Sequence, residues 1–219
     1  MEPAHLAVDD QGRARCRWGA DPQNYRDYHD DEWGRPVISD HRLLEKLCLE
    51  GFQSGLSWLT ILRKRDAFRS AFADFEPSTV ADFDQTDVDR LLADASIVRH
   101  RGKIESTINN ARRACDLITE RGSLARYVAT YRPGPAQRPE TVTWAWLADH
   151  ATTPESTALA KDLKRRGWSF VGPTTVYAFM QSTGLVNDHL EGCWVRDVVA
   201  SAQRAWDAYD GQPRRPTAD

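Results

Sequence analysis

The chain has 219 residues, 41% of them hydrophobic, and a formal net charge of −3; that is enough apolar material for one large domain or two lobes around a shared core. The near balance of charge excludes a polycationic nucleic-acid coat, so any anion-binding site must be local. Four scattered cysteines (16, 48, 115 and 193) do not make a secreted disulfide scaffold. No stretch approaches the ~20 apolar residues of a membrane helix, and the opening residues lack the apolar run of a leader, so a cytoplasmic protein is expected.

Residues 1–15 are polar and read as a loose tail. Asp21-Pro22 is expected to open a helix running to Asp31. Asp40 is expected to cap a second helix, HRLLEKLCLEGF, ending near Gly51 or Gly55. Ser57 begins SWLTILRKRDAFRSAF, with Leu59, Leu62, Phe68 and Phe72 at helical intervals. Short helices are expected over 78–84 and 86–94, and a longer one over 100–120. The Pro/Gly-rich stretch YRPGPAQRPE (131–140) reads as the main internal loop. TPESTALAKDLKRRG carries a Thr/Ser start signal for another helix. The turn at Gly172-Pro173 leads into TTVYAFMQSTG, and a last helix is expected from about Gly192 to Tyr209. Alternating strand patterns are nearly absent, so the predicted fold is all-α with two lobes: a domain over 16–193, followed by a helix and tail over 194–219.

Three constellations carry chemistry. Cys16 and His29 near one end, with His189 and Cys193 near the other, read as C-x12-H and H-x3-C. Two Cys and two His complete a tetrahedral zinc set, and residues four apart share a helix face. Two unrelated pairs satisfy the same spacings, so spacing alone leaves both readings open. Glu50 is the second feature. It lies on the stripe formed by Leu43 and Leu47, so it either reaches solvent at a helix end or is desolvated for a purpose. It precedes a Gly-bounded turn, Gly51 to Trp58. Trp18, Tyr25, Tyr28, Trp33 and Trp58 surround these positions in sequence; they are either core filling or a box for a flat cationic ring. Third, the Gly172 turn before a helix start points backbone N–H groups outward, as a phosphate site requires. Basic residues lie near it in sequence (Lys161, Lys164, Arg165, Arg166), and Arg99, His100, Arg101 and Lys103 form another knot. These are either a DNA-backbone grip or solvated faces.

The stretches RCRW (15–18), YHDDEWGRP (28–36), LCLEGFQSGLSW (47–58), IVRHRGKI (97–104) and RGWSFVGPTTVYAFMQSTGLVNDH (166–189), followed by Cys193, occur in this order. With them the chain resembles the DNA-3-methyladenine glycosylase I family across nearly all of residues 16–193. The resemblance implies a helix-hairpin-helix DNA repair fold whose ends are joined by one structural Zn2+ on Cys16, His29, His189 and Cys193. It implies hydrolysis of the N-glycosidic bond of 3-methyladenine in alkylated double-stranded DNA by a monomer. By position, Tyr28, Glu50 and Trp58 would form the base pocket, with Trp18 and Trp33 in support and Glu50 as the ionised catalytic group. Gln53, Ser54, Gly55 and Leu56 would press into the duplex, and Gly172 with Thr174 would hold the phosphate backbone. Thr174 stands where lyase relatives carry a Lys, so no lyase step is expected. Asp188 would orient His189 through the ring's other nitrogen. A DNA-binding module without chemistry, or a glycosylase with another base preference, is the alternative reading.

Overall fold

The computed structural model describes residues 5–207. Two short strands, β1 (Leu6–Val8) and β2 (Ala14–Cys16), pair antiparallel, with Leu6 opposite Cys16. The stretch read as a loose tail is therefore largely a hairpin. Its strands are too short for alternation to announce them, and buried polar contacts hold them instead. Arg15, 2% exposed, pairs with Asp9 in the hairpin and with Asp30 in the following helix.

Twelve α-helices follow among the described residues: α1 (Gln23–Asp31), α2 (Asp40–Gln53), α3 (Trp58–Arg63), α4 (Arg65–Ala71), α5 (Pro77–Ala81), α6 (Gln85–Ala93), α7 (Arg101–Arg121), α8 (Leu124–Ala129), α9 (Trp144–Asp149), α10 (Pro154–Arg165), α11 (Pro173–Ser182) and α12 (Val195–Asp207). None is long and apolar enough to cross a membrane. Side-chain caps set several starts. Ser57 accepts from the Thr60 N–H, Asp84 and Asp87 form a reciprocal capping box, and Thr153 does the same with Ser156. Gly122, at φ 85°, ends α7 in the left-handed conformation.

Expected boundaries moved in four places. α1 starts at Gln23, with Pro22 in the N-cap place. Asp40 does not cap its own helix: Ser39 is the N-cap residue, and the Asp40 carboxylate accepts from the Leu124 N–H at the start of α8. The single helix expected from Ser57 breaks at Lys64 into α3 and α4. The last helix begins at Val195 rather than Gly192 and is described to Asp207; Ala208 and Tyr209 lie outside the described residues.

One continuous core runs from Leu43 on α2 to Trp206 on α12. α2 lies at its centre, with every residue from Leu43 to Phe52 buried, and it packs directly on α7 and α11. A smaller cluster joins the chain ends: Cys16, Val142, Leu190, Cys193, Val195 and Val199. A third joins Tyr28, Trp33 and Leu62. The last two flank a cleft, with α2 as its floor.

Candidate active site and metal centre

Because α2 is enclosed on all sides, each of its polar residues needs a partner. Glu45 is held by Arg42 and Arg69, and Lys46 donates to Glu32 at 2.7 Å. Glu50, 6% exposed, has no hydrogen-bonding partner among the described residues. Burial pushes its carboxyl up to about 8, only partly opposed by the positive charge of Lys46. The ionised state expected for Glu50 therefore calls for a positive partner beyond Lys46, whose charge offsets only part of the desolvation.

Glu50 faces a cleft of about 630 Å³. Tyr28, Trp58, Trp18, Trp33, Tyr25 and Gln53 line it with Glu50. The Tyr28 and Trp58 ring centroids are 5.4 Å apart, and Trp18 meets Trp33 edge-on at 5.0 Å. Lys46 lies 5.3 Å from the centroid of the Tyr28 ring and Arg65 5.9 Å. Each of the five residues read from the sequence as a pocket thus lines the cleft. The sequence reading missed several others: Ala178 and Gln181 on α11, Trp144 and Leu147 on α9, and His5, stacked on Trp144 at 4.8 Å. α9 carries no long periodic pattern, so Trp144 had no signal. Gln181 had one: it is a polar residue three positions beyond Ala178 in an otherwise apolar helix.

The candidate ligands converge. The donor atoms of Cys16, His29, His189 and Cys193 all lie within 4.8 Å of one another, and all four residues are buried. His29 Nε2 is 3.2 Å from His189 Nδ1, and Cys193 Sγ is 3.6 Å from both nitrogens. The outward ring nitrogens are also engaged. His29 Nδ1 lies 2.7 Å from Asp30, and His189 Nε2 lies 3.0 Å from the Trp33 carbonyl. This fixes which nitrogen of each ring faces the cluster. Asp188 therefore does not orient His189, contrary to the expectation. Its carboxylate instead takes donors from Arg138, Tyr177 (2.6 Å) and Gln181 (2.7 Å). The contact between the two sulfurs raises the Cys16 thiol, with burial adding to it, and lowers that of Cys193, with His189 and His29 adding to it. Gly19 is obligatory here, since a Cβ would fall 2.4 Å from the His29 ring.

Two turns lie beside α2. Gln53 to Ser57 leaves α2 with Gly55 at φ 80° and Leu56 42% exposed. Lys103, read above as part of a DNA-facing knot, is buried and donates to the carbonyls of Phe52 (2.8 Å) and Ser54 (2.6 Å). The other turn, 166–172, is stitched to α7: Asn110 exchanges hydrogen bonds with both the N–H and the carbonyl of Ser169, each at 3.0 Å. Gly172 is the N-cap residue of α11 and Thr174 is exposed. Arg166 is committed to Glu120 and Asp162, so it does not belong to a free basic face.

Fold and cleft together define a class: an almost wholly helical protein in which one unpartnered buried carboxylate faces an aromatic slot suited to a flat, polar ring. A family model described as methyladenine glycosylase matches residues 18–197, and the chain belongs to that family. DNA-3-methyladenine glycosylase 1 of Escherichia coli K12 is 43% identical over 179 residues, which are 82% of this chain and 95% of that protein. The DNA-3-methyladenine glycosylase of Haemophilus influenzae is 40% identical over 183 residues, 82% and 96% of the two chains. A crystal structure of 3-methyladenine DNA glycosylase I (TAG) superposes with a TM-score of 0.77 at 44% identity, covering 82% of this chain and 98% of its own. The Staphylococcus aureus glycosylase, whose structure describes 3-methyladenine recognition, gives 0.75 at 37% identity, over 83% and 96%.

Proposed function

We propose that this protein is a monofunctional DNA repair glycosylase that hydrolyses the N-glycosidic bond of 3-methyladenine in alkylated double-stranded DNA, releasing the base and leaving an abasic site. The observation that carries the reading is Glu50: a buried carboxyl without a hydrogen-bonding partner, facing aromatic rings from a helix whose buried Glu45 and Lys46 are both ion-paired. A buried acid at about 8 is poorly matched to an empty cleft and well matched to a cation. N3-methylation makes adenine cationic in the nucleotide, whereas ordinary adenine is neutral. Entry of the cation drives the Glu50 proton off and supplies the missing partner.

The base must first leave the duplex, at a cost of a few kcal/mol that damage reduces. Gln53, Ser54, Gly55 and Leu56 would fill the vacated space. α10, the turn and α11 would serve as the helix-hairpin-helix, with Gly172 and Thr174 toward the backbone phosphates. Stacking on Trp58 and Tyr28 orients the base, supported by Trp18 and Trp33. The leaving group is already positively charged and needs no proton. Water adds to C1′ as the C1′–N bond breaks, the bonding pair neutralises the departing base, and the water proton passes to solvent. The negative charges of Glu50 and of the DNA phosphates favour the oxocarbenium-like state between them. Thr174 offers no amine, so the chemistry ends at the abasic site.

The four ligands suit Zn2+. Tetrahedral zinc bound to two sulfurs and two nitrogens places donor atoms roughly 3.3–3.8 Å apart, against 3.2, 3.6 and 3.6 Å for the three separations given above. Cys16, His29, His189 and Cys193 would hold it in a closed, structural site. The enzyme would act as a monomer in the cytoplasm, where reduced thiols persist.

The test is release of free bases from methylated duplex DNA. Wild type should liberate 3-methyladenine, and Glu50→Gln should lower kcat/KM about 100-fold with its circular dichroism unchanged. Duplex binding without release would make the protein a non-catalytic module.

A further inference from the structure

Glu50 is not the only acceptor available to a base in the cleft. Gln181 lines the same cavity from α11, the helix packed directly on α2. Its neighbour Ser182 reaches the hydroxyl of Tyr28, which lines the same cavity.

The orientation of its carboxamide is chemically fixed. Asp188, 1% exposed, accepts from Arg138, from the Tyr177 hydroxyl and from Gln181 Nε2 at 2.7 Å. A carboxylate surrounded by donors admits only the NH2 arm of an amide, since the carbonyl arm would set oxygen against oxygen. The nitrogen therefore turns to Asp188, and the carbonyl oxygen is the opposite arm. No hydrogen bond reaches that oxygen among the described residues. The buried Asp188 is thus a positioning group: with three donors already on its two oxygens, it holds an amide rather than activating water.

We propose that Gln181 Oε1 is a specificity-determining acceptor for the exocyclic 6-amino group of the methylated purine, sharing that group's two N–H donors with Glu50. This rests on the glycosylase reading above and extends it to which purine is admitted. A 6-oxo purine would set its oxygen against two acceptors at once, whereas the 6-amino purine satisfies both.

The experiment compares binding of free 3-methyladenine and of 3-methylhypoxanthine, its 6-oxo counterpart, followed by quenching of tryptophan fluorescence. Wild type should favour the amino base. Gln181→Met, which keeps the length of the side chain but has no carbonyl, should reduce that preference roughly 3–10-fold. Gln181→Ala serves as a second variant should the longer side chain perturb packing. Asp188→Asn should erode the same ratio by freeing the amide to turn. A purely structural role for Gln181 would weaken both bases alike. An unchanged ratio in folded Gln181→Met, with wild type active on methylated DNA, overturns the assignment of Gln181 alone. Absence of 3-methyladenine release by wild type overturns the parent reading, and this one with it.

Discussion

At the scale of single residues, the pH behaviour of Glu50 separates its role from that of an ordinary surface acid. Its folded pKa, about 8, lies above the ordinary carboxyl value of 4.5 expected when unfolded. Between those values the folded state binds the proton and the unfolded chain does not. The stability this provides is complete below about pH 4.5 and is lost as pH rises through about 8. Glu50→Gln carries no such proton. It should therefore match wild type in acid and exceed it by about 2–5 kcal/mol at pH 9, measured by urea unfolding at several pH values. A difference that does not vary with pH would mean that the carboxyl is not desolvated in solution. Glu50 was legible in the sequence because a charge on an apolar stripe conflicts with the pattern around it. Its raised pKa was not, because that depends first on how deeply the folded chain buries α2 and then on how far Lys46, paired with Glu32, offsets it. Asp188 shows the opposite failure. Standing next to His189 it suggested a metal-orienting role, but one residue along an irregular segment points elsewhere, and the Trp33 carbonyl takes the outward nitrogen of His189 instead.

At the scale of elements, the turn after α2 is held from another helix. α2 ends with its last carbonyls unpaired by helix geometry, and Lys103 on α7 brings an ammonium to the carbonyls of Phe52 and Ser54, where a cation also suits the helix dipole. Lys103→Met should cost about 1–3 kcal/mol of stability. It should also weaken binding to an abasic-site duplex while leaving free 3-methyladenine affinity within about 2-fold, since the hydrogen bonds it loses lie outside the base slot. Parallel thermal denaturation, duplex titration and base titration would check this; a matched loss of duplex and base affinity would contradict it. The basic run 99–103 suggested a DNA face because charge is all that a sequence displays. Burial turned one of its members into a clamp. Long helices with caps, such as α7 and α10, were legible because periodicity and start signals agree. α8, α9 and the hairpin were not, since six residues or fewer show no period and their partners are distant in sequence.

At the scale of the whole molecule, the cluster of Cys16, His29, His189 and Cys193 is also a support for the cleft. Trp18 packs edge-on against the ring of His29 at 5.1 Å, and Trp33 against that of His189 at 4.7 Å. Two of the tryptophans that line the slot therefore rest on two of the four candidate ligands. The cluster lies outside the main core, which continues from α2 to α12 without it. Removing the metal should thus loosen one wall rather than unfold the protein, although closing nearly the whole chain into a loop makes the clip worth several kcal/mol. Metal analysis of purified protein should find about one zinc per chain, as a four-ligand site requires. Cys16→Ser should lose it and melt roughly 5–15 °C lower. Because Glu50 stands on α2, away from the ligands, the variant should keep its Glu50-dependent pH profile while its affinity for 3-methyladenine falls through the unsupported Trp18 and Trp33. Loss of the pH profile together with the metal would instead tie the ion to the chemistry, and an unchanged melting temperature would remove it from the architecture.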